Sequence, residues 1–175
     1  MKLLVLNGPN LNMLGIREPD IYGKQDFQTL LDVVHETCDS LGVEVETYQS
    51  NHEGDLVDRI QMAYGYVDGI VINPGAYTHT SVALLDAIKA VEIPTVEVHL
   101  SDVKSREPFR QISYVGQAAE KRIMGLGIQG YVEGIHYLYG KYVRVRNEEK
   151  KAEQRRRSEA SLRINGKKVS ELLAE

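Results

Sequence analysis

The first apolar run of the chain, Leu3-Leu4-Val5-Leu6, has no polar member, as in a strand covered on both faces. It stops at Gly8-Pro9, which cannot continue a ladder. Residues 8–24 then hold three Gly and two Pro among Asn, Arg, Asp and Tyr. A polar loop of that length in a compact domain serves as a lid or a binding loop. Phe27, Leu30, Leu31, Val34 and Cys38 follow helical spacing, and Gly42 closes that helix. Val43, Val45 and Thr47 alternate with Glu44, Glu46 and Tyr48, the pattern of an edge strand with one charged face. Leu56, Ile60, Ala63 and Val67 predict a second amphipathic helix. Residues 69–73 are a third strand, stopped by Pro74-Gly75. Thr78 or Thr80 is the expected cap of a third helix carrying Val82, Leu85 and Ile88. Residues 94–99 predict a fourth strand, 112–115 a short fifth, and 118 to about 138 a final helix.

Strands and helices alternate, which argues an open parallel sheet with helices on both faces. The first strand reads as central and the second as edge. The expected fold is therefore α/β, a flavodoxin-like three-layer arrangement of five parallel strands in the order 2-1-3-4-5. Ligands of such sheets bind beyond the carboxyl ends of the strands, at the switch point between strands one and three. That directs attention to the segments after Leu6, Ile72 and Val98.

The composition shifts at Asn147. Residues 148–175 contain eight Lys/Arg and six Asp/Glu, against 13 and 19 in the residues before them. Residues 1–147 are expected to be one flavodoxin-like domain and 148–175 a charged extension, helical or disordered. Glu148–Leu162 has the Glu–Arg spacing of a solvated helix. Arg155-Arg156-Arg157 offers a surface for an acidic neighbour, such as the body of another subunit. A solvated appendage is the plainer reading.

The formal net charge is −4 and the pI about 5.8, without the basic footprint of a nucleic-acid binder. The single cysteine, Cys38, excludes an intrachain disulfide and any site built from several thiolates. No apolar run approaches the ~18 residues of a membrane span. The first apolar segment is too short for a secretory leader, so a cytoplasmic protein is expected. Cys38 lies inside an amphipathic helix, and no serine sits in a Gly-x-Ser-x-Gly elbow. There is no Gly-Lys-Ser/Thr phosphate loop. His79 and His99 lack a third ligand at a familiar spacing, so no metal is expected. Gly125-Leu126-Gly127-Ile128-Gln129-Gly130 matches a dinucleotide fingerprint, but the expected position inside the last helix makes it a helix-packing feature. The polar residues left at the strand ends are Tyr, His, Arg, Asn and Ser. They suit proton transfer and oxyanion stabilisation on a polyhydroxylated carboxylate. Arg110 suits the carboxylate and Asn73 the hydroxyls.

Five segments, 6–12, 17–23 (Arg-Glu-Pro-Asp-Ile-Tyr-Gly), 73–81 (Asn-Pro-Gly-Ala-Tyr-Thr-His-Thr-Ser), 97–101 (Glu-Val-His-Leu-Ser) and 106–110 (Arg-Glu-Pro-Phe-Arg), resemble type II 3-dehydroquinate dehydratase. The first is Leu-Asn-Gly-Pro-Asn-Leu-Asn, and the resemblance covers about residues 1–142 in order. It implies a flavodoxin-like fold and the cofactor-free dehydration of 3-dehydroquinate to 3-dehydroshikimate through an enolate. That step serves the shikimate route to aromatic compounds, and also quinate breakdown. By the same resemblance Tyr22 is the base at C2, and Arg17 the cation that favours its phenolate, since a free tyrosine has a pKa of ~10. Asn10 helps hold the enolate oxygen, and His99 protonates the departing C1 hydroxyl. Glu97, two residues earlier on a strand and so on the same face, orients or charges His99. Asn73, His79, Leu100, Ser101 and Arg110 match substrate-binding positions. Asp86 matches a residue reaching a neighbouring subunit's site. The resemblance therefore implies a homo-oligomer, a dodecamer built from trimers.

Taken singly, these residues have plainer readings. Asn73 caps a turn before Pro74-Gly75, His99 is a satisfied structural histidine, Glu97 an ion-pair partner, and Asp86 the polar face of a helix. Two other functions compete with the lyase. One is a flavodoxin-like binding module for a nucleotide or flavin, against which the missing phosphate loop counts. The other is an assembly protein that has kept the fold and works through its charged tail.

Overall fold

A computed structural model of the chain describes residues 1–16 and 25–161 and the backbone of 163, 164, 167 and 168. The expected base and its cation, Tyr22 and Arg17, lie outside the described residues. Strands β1 (Lys2–Asn7), β2 (Glu44–Gln49), β3 (Gly69–Asn73), β4 (Thr95–His99) and β5 (Lys121–Met124) form one parallel sheet in the order β2-β1-β3-β4-β5. This is the expected topology, with the reversal of strand order between β1 and β3.

The alternation of side chains along each strand sends them to two cores. Leu3 and Val5 of β1, Val71 of β3, and Val96 and Val98 of β4 pack on one face with Leu30, Val34 and Cys38 of α1 (Phe27–Leu41). Tyr131, Ile135 and Leu138 of α4 (Gln129–Ser161) join them. Leu4, Leu6, Ile70 and Ile72 face the other way, against Leu56 and Ile60 of α2 (Glu53–Met62) and Leu84 and Ile88 of α3 (Val82–Val91). β1 and β3 are covered on both faces, which is why they read as unbroken apolar runs. β2 is the partly exposed edge. Its Glu46 accepts from Lys2 at 2.6 Å and from Tyr66 Oη at 3.0 Å, and also pairs with Arg59.

Four local expectations need correction. The fifth strand is Lys121–Met124, and the segment assigned to it, 112–115, leads into a 3-10 turn at Val115–Gln117. An edge strand that buries only Ile123, with Lys121 and Arg122 exposed, carries too little alternation to be told from a helix start. The last helix accordingly begins at Gln129 rather than near 118. Ser81, rather than Thr78 or Thr80, caps α3, its hydroxyl accepting from Leu84 N at 2.9 Å, and Val82 is exposed. The Gly125–Gly130 pattern follows β5 and runs into the first turn of α4, rather than lying wholly inside a helix. Gly125 and Gly127 turn the chain at φ 78° and 55°, conformations that favour glycine. The packing expectation holds for Gly130, where a Cβ would stand 3.0 Å from Val98 Cγ1.

The chain divides into two compact units, Met1–Tyr139 and Gly140–Glu175. The compositional shift at Asn147 falls within α4. In the second unit Arg157 donates to Glu153 at 2.5 Å, an i,i+4 pair with both side chains exposed. The short strands β6 (Arg163–Ile164) and β7 (Lys167–Lys168) pair antiparallel. No helix among the described residues is long and apolar enough to cross a membrane.

Candidate active site

The carboxyl ends of β1, β3 and β4 open onto one cavity of about 300 Å³. Seven predicted residues line it: Asn10, Asn73, His79, His99, Leu100, Ser101 and Arg110. They come from four separate stretches of the chain, and the sheet brings them together.

The β1 and β3 ends are joined directly. Gly8 N donates to Asn73 O at 2.7 Å. A Cβ on Gly8 would stand 2.5 Å from Pro74 O, so only glycine permits this approach. The next loop places Asn10 at φ 69°, a left-handed conformation that asparagine tolerates better than most residues. Its N–H donates to Asn51 Oδ1 at 2.9 Å. Asn73 is 3% exposed, and its Oδ1 accepts from Gly75 N at 3.1 Å. The turn-capping reading of Asn73 is therefore correct as far as it goes, and the residue also lines the cavity.

Beyond β3, a 3-10 turn (Gly75–His79) presents His79. Its Nδ1 lies 2.6 Å from the carbonyl of Ile112, which can only accept, so Nδ1 carries the proton. Burial holds the His79 imidazole below its ordinary value. The nearby positive charge of Arg110 and a protonated His99 would push it the same way, against the Ile112 carbonyl. His79 is therefore suited to stay neutral and offer Nε2 to a ligand.

β4 carries the most buried ionic group of the site. Glu97 and His99 occupy alternate positions of the strand and share one face. Glu97 is 0% and His99 6% exposed, and His99 Nε2 stands 2.7 Å from Glu97 Oε1. Oε1 also accepts from Thr78 and, at 3.0 Å, from Ser113. Oε2 accepts from Ser113 at 2.9 Å and from Arg122 Nε at 2.8 Å. Burial alone would raise the Glu97 carboxyl. The hydrogen bonds from His99 and Thr78 and the Arg122 charge outweigh it and hold Glu97 below the usual carboxylate range. An ionised Glu97 can only accept, so His99 Nε2 is the donor and Nδ1 is the nitrogen free to exchange a proton.

Two guanidinium groups reach the cavity from the turns after β4. Arg110 donates to Glu107 Oε2 at 2.7 Å, and Arg106 stands 3.8 Å from the same oxygen. Two arginines over a cavity floored by neutral amides favour an anionic ligand. Among the described residues, no group of three His, Cys, Asp or Glu is placed to hold a metal ion.

Asp86 stands apart from this cavity, exposed on α3. Three partners of Glu97 were absent from the sequence-based site: Thr78, Ser113 and Arg122. Thr78 lies inside a quoted motif, but a threonine there has no signal of its own. Ser113 and Arg122 depend on the true position of β5, in which Arg122 is the cross-strand neighbour of Glu97. Arg106, quoted in a motif, was likewise not chosen.

A profile of the family "Dehydroquinase class II" matches residues 1–139. The 3-dehydroquinate dehydratase of Clostridium acetobutylicum is 52% identical over 138 residues, 79% of this chain and 96% of that protein. A catabolic 3-dehydroquinase of Aspergillus oryzae is 55% identical over 139 residues, covering 78% of this chain and 89% of the relative. The crystal structure of type II dehydroquinase from Butyrivibrio crossotus superposes with a TM-score of 0.77 at 52% identity, over 79% of this chain and 97% of that one. The sheet order, the cavity at its switch point and these similarities agree, and the chain belongs to the class II dehydroquinase family.

Proposed function

We propose that this chain removes water from 3-dehydroquinate to give 3-dehydroshikimate, through an enolate and without a cofactor. Tyr22, as a phenolate favoured by the charge of Arg17, takes the C2 proton. The electron pair moves onto the carbonyl oxygen, where Asn10 helps to hold it. The enolate then collapses, re-forming the carbonyl and making the C1=C2 double bond, while the C1–O bond breaks, His99 delivers a proton to the departing hydroxyl and water leaves. Arg110 binds the substrate carboxylate. Asn73, His79, Leu100 and Ser101 engage the remaining oxygens. The observation that carries this reading is that His99, which lines the cavity with Asn10, Asn73, His79 and Arg110, is paired at 2.7 Å with the buried Glu97. A histidine whose far nitrogen is tied to an ionised carboxylate is oriented and charged for acid catalysis.

The step fits the shikimate route to aromatic compounds in the cytoplasm. The same chemistry would serve quinate breakdown, and the Aspergillus oryzae relative is named a catabolic 3-dehydroquinase. The exposed position of Asp86 on α3 suits a residue that completes a neighbouring subunit's site in a dodecamer of trimers.

The test is to add 3-dehydroquinate to the protein with chelator present and follow the ultraviolet absorbance of the conjugated enone product. The absorbance should rise with the wild-type protein and not with a folded Tyr22→Phe variant. No rise with folded wild-type oligomer rejects the lyase. Near-normal turnover by Tyr22→Phe rejects the assigned base. Stoichiometric flavin absorbance in the purified protein would turn attention to a binding module.

A further inference from the structure

Glu97 has a second cationic neighbour besides its histidine. Arg122 Nε donates to Oε2 at 2.8 Å while His99 Nε2 donates to Oε1 at 2.7 Å, so the two cations hold opposite oxygens of one carboxylate. The pairing follows from strand register, since Glu97 and Arg122 are direct cross-strand partners of β4 and β5. A second feature reserves the space. Residue 116 is glycine, and a Cβ there would stand 2.5 Å from Arg122 Cδ, 2.6 Å from its Nε and 2.7 Å from Glu97 Oε2. The Gly116 N–H donates instead to Ser113 Oγ at 2.8 Å, and Ser113 Oγ is itself within reach of both Glu97 oxygens.

We propose that Arg122 is a positioning residue for the dehydration step, fixing the plane of the Glu97 carboxylate and dividing its charge so that His99 releases its proton to the leaving hydroxyl. This rests on the lyase reading above. The physical argument concerns how tightly an acid is held. A buried carboxylate with the imidazolium as its sole counter-charge would bind the His99 proton strongly and make it a reluctant donor. A second cation on Oε2 weakens that hold and keeps Glu97 ionised. It also prevents the carboxylate from rotating away from His99. The side chain of Arg122 is one-third exposed, so water screens its charge and the effect is moderate. Among the described residues, the other charged or titratable groups facing His99 are His79 from the turn after β3 and Arg106 and Arg110 across the cavity. All three remain in place when Arg122 is changed.

The experiment compares wild type, Arg122→Gln, Arg122→Lys and Gly116→Ala in the full chain. It reads the pH profile of kcat and kcat/KM for 3-dehydroquinate and the titration of 15N-labelled histidines. Arg122→Gln should lower kcat about three- to tenfold with KM changed less than about twofold, and move the alkaline limb upward by about half a pH unit. Arg122→Lys should restore most of both. Gly116→Ala, whose Cβ would press on both the Arg122 side chain and Glu97 Oε2, should also move the profile. A profile in Arg122→Gln and Gly116→Ala that superimposes on wild type overturns the proposal, even if stability falls. Failure of the wild-type protein to turn over the substrate would reject the lyase reading instead. The histidine titration then still decides: an upward displacement of the His99 midpoint in Arg122→Gln supports the role of Arg122, and an unmoved midpoint rejects it.

Discussion

Glu97 and Arg122 face each other across β4 and β5 at 2.8 Å, with the carboxylate fully buried and the guanidinium reaching it from the partly exposed sheet edge. This relationship holds an ionised carboxylate directly beneath His99, and the hydrogen-bond directions of His99, Thr78 and Ser113 follow from it. With Thr78, Ser113, His99 and Arg122 all donating to it, the carboxylate leaves none of these neighbours a choice of donor direction.

Glu97→Gln replaces the acceptor of the His99 Nε2–H with an amide and removes the anion that stabilises an imidazolium. Turnover should fall by about 10- to 100-fold. The alkaline limb of the pH profile should move downward, opposite to the shift expected of Arg122→Gln, because the proton on His99 is now held less tightly. His99→Ala should cost about 10²- to 10⁴-fold in kcat. Steady-state kinetics across pH 5–9 checks both.

Acid should weaken the fold partly through Glu97. Its folded value lies below the ordinary one, so its contribution to stability is fully present above the unfolded carboxyl value of ~4.3 and is lost as pH falls through the folded value. Thermal melts from pH 7 to pH 3 should show wild type losing more stability below about pH 4.3 than Glu97→Gln does. Equal acid slopes in the two proteins would argue that Glu97 is not held in its charged form.

His79 should have its midpoint below 6.5, the ordinary histidine value, and so be mostly neutral at that pH. Burial is the main cause, and the sign is that of a histidine stabilising the fold as the neutral form, lost as the pH falls. Its 15N spectrum should report the Nδ1–H tautomer. A midpoint at or above 6.5 would contradict the assignment.

Gly8→Ala should destabilise the protein by about 1–3 kcal/mol and lower activity, because the added Cβ meets the Pro74 carbonyl and pushes the β1 and β3 loops apart. Chemical denaturation measures it. An alanine at no cost would mean the two loops are not held together.

Removing residues 148–175 should leave turnover and the particle size in solution unchanged. The family match ends at residue 139, and the Clostridium relative is covered to 96% of its length without the extension. Light scattering and the enone assay on the shortened chain test this. A loss of activity or a smaller particle would give Arg155, Arg156 and Arg157 a working role.

Much of the architecture was legible along the chain because burial leaves a periodic trace. β1 and β3 are apolar on every residue because helices cover both faces, and β2 alternates because one face meets water. Glu97 and His99 were recognisable as same-face neighbours because strand periodicity is local. The fifth strand was misplaced because an edge strand with a single buried residue leaves almost no periodic trace. That displacement hid Arg122, whose meaning depends on lying opposite Glu97 in the ladder. Ser113 and Thr78 were hidden for a related reason, since a hydroxyl acquires a partner only when distant segments close around it. The sequence by itself determined the alternating α/β order, the strand ends that carry chemistry and the residue types available there. The tertiary structure alone decided which of those groups share a carboxylate, because hydrogen-bond partners 16 to 25 residues apart are set by sheet register and loop closure rather than by spacing along the chain.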